Sequence, residues 1–119
     1  MLKVFGIPNC DQVKKSQKWL NNRGIEFKFH DYKKLGITKK QLSEWCNEVK
    51  WETLLNKRSR TWKELSEEEL SQTDRSNLTK TKAITLMHQH PTLIKRPVIQ
   101  TNKTMTVGFD EKLFNQHYT

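Results

Sequence analysis

The chain has 119 residues, 34% of them hydrophobic and 29% charged, with a formal net charge of +9. That length suits one domain with a single core, and no apolar run approaches the ~20 residues that a membrane-spanning helix needs. The N-terminus lacks a signal-like segment, so we expect a cytoplasmic protein, and a pI near 9.7 points to an anionic partner without naming one.

Leu2 to Phe5 reads as a short apolar strand, broken by Gly6-Ile7-Pro8. Asn9 is the expected cap of a helix running from about Asp11 to Asn22. Val13, Gln17 and Leu20 share one face of it, with Trp19 beside them, and Arg23-Gly24 ends it. Ile25 to Tyr32 reads as a second strand, in which Phe27, Phe29 and Asp31 alternate with Lys28, His30 and Tyr32. Strand, helix and strand in this order predict a βαβ unit with parallel strands.

Lys33 to Ile37 reads as a turn around Gly36. Thr38, with Gln41 three positions on, predicts a capped helix whose apolar stripe is Leu42, Trp45, Cys46 and Val49. Trp51–Leu55 follows, then a basic elbow, Asn56-Lys-Arg-Ser-Arg60, and the segment Trp62-Lys-Glu-Leu65. Ser66-Glu-Glu-Glu69 reads as the start of a further short helix. Asn77-Leu-Thr79 introduces a helix to about Gln89, with Ala83, Ile84 and Met87 inward, and His90-Pro91 stops it. The chain then changes period. Val98 to Gln100 and Thr104 to Val107 form a predicted hairpin about Thr101-Asn-Lys103. Gly108 ends the hairpin, and Asp110 caps a last helix stapled by Phe109 and Phe114. The four tryptophans, Trp19, Trp45, Trp51 and Trp62, read as core or boundary residues.

Two cysteines, Cys10 and Cys46, cannot make a disulfide framework, and no Cys/His spacing matches a zinc site. His88 and His90 are a close pair with no third ligand beside them, so no metal is expected. Cys10 is the candidate nucleophile. It is placed at the first turn of a helix that follows a buried strand, where unpaired N–H groups and the helix dipole favour the thiolate. A lone cysteine is often just a small core residue, but the neighbours Asn9, Asp11, Lys14 and Lys15 are polar or charged. Cys46, on an apolar stripe, reads instead as buried core.

The pieces Phe5-Gly-Ile-Pro-Asn-Cys-Asp11, Phe29-His-Asp-Tyr-Lys33, Trp51-Glu-Thr-Leu-Leu-Asn-Lys-Arg58, Lys82-Ala-Ile-Thr-Leu-Met87, Ile94-Lys-Arg-Pro-Val98 and Val107-Gly-Phe-Asp110 together resemble the ArsC-like family. That family includes arsenate reductases, the transcription regulator Spx and the YffB branch, which this chain is most similar to. The resemblance implies an α/β, thioredoxin-like fold, β-α-β … β-β-α, with a core of 1–33 and 91–119. The helical insertion of about 60 residues occupies 34–90.

By the same resemblance Cys10 is the redox-active residue, Pro97 is cis and faces it, and Arg96 is aimed at it. Arg58 matches the first anion-binding arginine better than Arg60 does. Asn9 and Lys14 complete the candidate anion- and glutathione-binding set. Guanidinium groups suit this task through forked hydrogen bonds to oxyanions and carboxylates.

Two departures shape the reading. Val13 stands where thioredoxins and Spx carry a second cysteine, so a local dithiol cycle is impossible and an outside thiol must resolve any adduct. No arginine follows Arg96, whereas arsenate reductases use a third one there. The expectation is a thiol oxidoreductase with glutathione as co-substrate and no tightly bound cofactor; glutaredoxin is a further partner. Arsenate reduction through a Cys10–arsenic adduct and Spx-like binding to RNA polymerase are the alternatives. Direct nucleic-acid binding rests on charge alone and is not expected.

Overall fold

The computed structural model describes residues 2–68 and 77–118. The chain divides into two compact units, Met1–Leu35 with Arg96–Thr119, and Gly36–Lys95.

The first unit is built on a four-stranded mixed sheet. Strand β1 (Leu2–Gly6) pairs in parallel with β2 (Phe27–Asp31), in register from Leu2↔Phe27 to Gly6↔Asp31. On its other side β1 pairs antiparallel with β3 (Val98–Gln100), and β3 closes a hairpin with β4 (Met105–Val107). The order β2-β1-β3-β4 is the thioredoxin-like arrangement. Side chains alternate along a strand, so Leu2 and Val4 share one face with Ile99. Onto that face pack Trp19 and Leu20 of α1 (Asp11–Asn22) and Phe114 of α7 (Glu111–His117), with Tyr118 just after it. Each such side chain stabilises the fold by about 1.5–3 kcal/mol through burial.

Helix α1 spans the residues expected of it, but its buried line includes Ser16 alongside Val13, Trp19 and Leu20. Ser16 tolerates burial because its hydroxyl donates to the Gln12 carbonyl at 2.8 Å. At the far end of the chain local chemistry acts as anticipated. The Asp110 carboxylate accepts from the N–H groups of Lys112 and Leu113, and Phe109 meets Phe114 edge-on at 5.3 Å.

The second unit is helical. It contains α3 (Lys39–Glu48), α4 (Trp51–Leu54), α5 (Arg60–Glu68), α6 (Lys80–Gln89) and a 3₁₀ turn, Pro91–Leu93. The Thr38 hydroxyl accepts the Gln41 N–H at 3.1 Å, and Thr79 caps α6 in the same way through Lys82. Helix α6 packs on α3, on α4 and on the 3₁₀ turn. Leu42, Trp45, Leu54, Met87, Leu93 and Ile94 are fully buried. The stretch Leu54–Asn56 is zipped to Leu93–Lys95. Lys95 donates its N–H to the Leu54 carbonyl, Asn56 donates to Leu93, and Leu55 bridges Ile94.

Four local expectations change. The second strand is shorter than Ile25–Tyr32, and Tyr32 instead opens a helical turn, α2 (Tyr32–Leu35), where a simple turn was expected. The physical reason is Asp31, whose carboxylate accepts the N–H groups of Lys33 and Lys34 and so starts a helix at the strand's end. Cys10, not Asn9, is the N-cap of α1. Helix α5 runs unbroken from Arg60 through Glu68, so no new helix begins at Ser66; Glu69 lies outside the described residues. Cys46 is half-buried, not a sealed core residue.

Candidate active site

The turn after β1 is set by a close approach. Gly6 lies against α1, and a Cβ there would meet Val13 Cγ2 at 2.6 Å. Only a glycine lets the fully buried Val13 seat on the strand end. The position that carries a second cysteine in C-x-x-C proteins is thus a packing residue here. The chain then turns, with the Cys10 N–H reaching the Ile7 carbonyl at 3.4 Å, and enters α1.

Cys10 has extended backbone angles as the N-cap, and its carbonyl accepts the first helical hydrogen bond from Lys14 at 2.9 Å. Its side chain makes no capping bond and the thiol is free and half-buried. Cys10 thus stands at the N-terminal end of a helix of 12 residues, where backbone N–H groups lack intrahelical partners.

The sheet register determines what else lies at this end. β1 and β2 run parallel and finish together at Gly6 and Asp31, so Tyr32 emerges beside the turn that leads to Cys10. β3 runs the opposite way and Val98 pairs with Phe5, so Arg96 and Pro97 enter at the same edge. The Arg96–Pro97 bond is cis, as the resemblance implied. Pro97 is buried and Arg96 half-buried.

Tyr32 is fully buried. Burial pushes its hydroxyl well above the usual tyrosine range. The Arg96 guanidinium, which donates a hydrogen bond to that hydroxyl, pulls the other way, while the nearby Cys10 and Asp31 add a smaller upward push. Cys10, Tyr32 and Arg96 therefore form one electrostatically connected group. Sequence reasoning missed Tyr32. Its signal was present in Phe29-His-Asp-Tyr-Lys33, but a tyrosine followed by two lysines gave no sign of complete burial.

The remaining predicted residues are placed as follows. Asn9 and Lys14 flank Cys10 and are exposed. Arg58 is an exposed residue of the second unit; its N–H donates to the Asn56 side-chain oxygen at 3.1 Å, which shapes the elbow. Arg60, also on that unit, is a solvated side chain whose Nε pairs with Glu64 at 3.0 Å along α5. Such exposed pairs contribute about 0–1 kcal/mol. Cys46 lies on α3, and its burial pushes the thiol up, only partly offset by Lys80. Among the described residues, no group of three His, Cys, Asp or Glu side chains is arranged to hold a metal ion, and no helix is long and apolar enough to cross a membrane.

Comparison with known proteins gives this geometry a context. An uncharacterized protein of Haemophilus influenzae is 42% identical over 112 residues, which cover 94% of each chain. The global transcriptional regulator Spx of Streptococcus mutans is 27% identical over 113 residues, 93% of this chain and 78% of the regulator. The solved structure of a YffB protein is 34% identical and superposes with a TM-score of 0.90 over 100% of both chains. With the ArsC family model matching residues 5–116, the chain belongs to the ArsC family.

Proposed function

We propose that this protein is a glutathione-dependent thiol oxidoreductase with Cys10 as its single nucleophile. The observation that carries the reading is the convergence of a free, half-buried Cys10 with Arg96 and the cis Pro97 at one end of the sheet, while Val13 is sealed into the core. In the first step the Cys10 thiolate attacks the glutathione sulfur of a mixed disulfide RS–SG. The RS–SG bond breaks, RS⁻ leaves and takes a proton, and Cys10–S–SG forms. In the second step a glutathione thiolate attacks Cys10–S–SG, restoring the Cys10 thiolate and releasing oxidised glutathione. Glutathione is oxidised and the substrate disulfide reduced, with no second protein thiol required.

Arg96 supplies charge-assisted hydrogen bonds to a glutathione carboxylate. The backbone beside Pro97 pairs with the extended peptide part of glutathione, as a sheet edge does. Arg58 enters this reading by resemblance alone, as a second carboxylate ligand, with Asn9, Lys14 and Arg60 as lesser contributors. Arsenate is a poor substrate, because each missing charge-assisted contact to an oxyanion costs about 1.5–3 kcal/mol and no arginine follows Arg96.

Incubation with oxidised glutathione, followed by intact and peptide mass spectrometry, tests the proposal. One glutathione on Cys10, and turnover of a glutathionylated peptide, are expected. Arg96→Ala should lower kcat/KM by about tenfold to a hundredfold, as expected for loss of a charge-assisted contact. Absence of both adduct and turnover overturns the proposal.

The likeness to Spx supports a second reading, a polymerase-bound regulator. A pull-down with purified RNA polymerase separates the two, since an oxidoreductase of this kind need retain none.

A further inference from the structure

The chemistry proposed above uses Cys10 and Arg96 and leaves Tyr32 without a task. Tyr32 is nonetheless the most unusual side chain at that end of the sheet. It is fully buried, it is held by the helical turn that Asp31 starts, and it receives a hydrogen bond from Arg96. An arginine side chain is long and has five N–H donors in a fixed fork. Left alone, it samples many rotamers, and only some of these direct its charge at a given sulfur. A buried, immobile acceptor removes that freedom.

The type of acceptor matters. A carboxylate would hold the guanidinium equally well but would cancel its charge. A phenol holds it while leaving the positive charge available. Burial keeps the Tyr32 hydroxyl protonated, so the acceptor stays neutral throughout the physiological range. Asp31, the nearest acid in sequence, directs its Oδ1 to the Lys33 and Lys34 N–H groups.

We infer that Tyr32 is a positioning residue: its buried hydroxyl fixes the Arg96 guanidinium, so that the remaining N–H groups and the full charge are presented toward Cys10 and an incoming anion. This rests on the reading of Cys10 as the nucleophile, but not on glutathione being its partner.

The test uses the full chain and two small alkylating probes, iodoacetate (anionic) and iodoacetamide (neutral), with modification followed separately at Cys10 and Cys46 by peptide mass spectrometry. The ratio of the two rates at Cys10 reports the local positive potential, whatever the physiological substrate is. In the parent the ratio should exceed that of a Cys10-containing unstructured peptide by about threefold or more. Tyr32→Phe, which keeps the ring and loses only the hydroxyl, should lower the ratio nearly as far as Arg96→Ala. The double variant should fall no further than Arg96→Ala alone, because one residue acts through the other.

A Tyr32→Phe ratio equal to the parent's overturns the inference, as does a double variant whose two losses multiply. A purely structural role would lower the melting temperature without that non-additivity. A second measurement needs no change at Tyr32. Relaxation of the Arg96 Nε–H in ¹⁵N-labelled parent, assigned by Arg96→Lys, should show a rigid guanidinium, and one that reorients freely overturns the inference. If glutathione turnover fails while the alkylation ratios behave as stated, the substrate class is wrong and the role of Tyr32 stands. Normal turnover with an unchanged ratio in Tyr32→Phe means the reverse.

Discussion

The two cysteines of this chain are both free and both half-buried, yet their surroundings differ in kind. Cys10 caps a helix at the end of a sheet, with its side chain outside the capping bonds and Arg96 and Tyr32 gathered at the same edge. Cys46 lies within α3, one position from the fully buried Trp45, and burial holds its thiol protonated. On the function proposed above the two thiols should differ in reactivity, because a thiol becomes a nucleophile through the charges and dipoles around it and not through exposure alone.

The largest effect that would break this contrast is on adduct formation. Cys10→Ser should abolish the glutathione mixed disulfide, while Cys46→Ser should change its rate less than about twofold. An adduct of equal yield on Cys46 in the parent would end the contrast.

Next in size is the packing that aims Cys10. Gly6→Ala places a methyl 2.6 Å from Val13 Cγ2, with no long flexible side chain to yield. We expect a loss of about 1–3 kcal/mol in denaturant unfolding and slower alkylation at Cys10 but not at Cys46. A fully stable variant would mean that the turn carrying Cys10 is less constrained than the structure shows.

A smaller effect separates the two thiols by pH. The Cys46 thiol is raised, so its alkylation should rise with pH only above the ordinary cysteine range near 8.5. Tyr32 and Tyr118 are raised as well. A raised group binds its proton more tightly in the folded state. The stability it contributes is therefore full below its unfolded value, near 10 for tyrosine, and is lost as pH rises towards the folded one. Unfolding free energy should be flat from neutral pH to about 8 and then fall, first through Cys46 and above about 10 through the tyrosines, and Tyr32→Phe should flatten the upper part of that fall. A decline that begins below pH 8 would point to another group.

Much of the first unit was legible because its signals are local. The Asp110 cap, the Phe109–Phe114 staple and the hairpin depend on residues a few positions apart. The same is true of Thr38 with Gln41 in the second unit. Errors arose where one residue served two elements. Asn9 is the better capping type, but the helix begins at Asp11 and Cys10, with extended backbone angles, takes the cap position. Alternation carried the second strand through Tyr32, but the Asp31 carboxylate ended it one residue earlier.

By itself the sequence determined the succession of elements, the parallel β1–β2 pair, the single thiol at a helix start and the lack of a partner cysteine at Val13. Those follow from periodicity, caps and spacing, which act over a few residues. Only the tertiary structure decided that Tyr32 is buried and joined to Arg96, more than sixty positions away in the chain. That union depends on two strands of opposite direction ending at one edge of the sheet, a property of pairing register that no short stretch of residues contains.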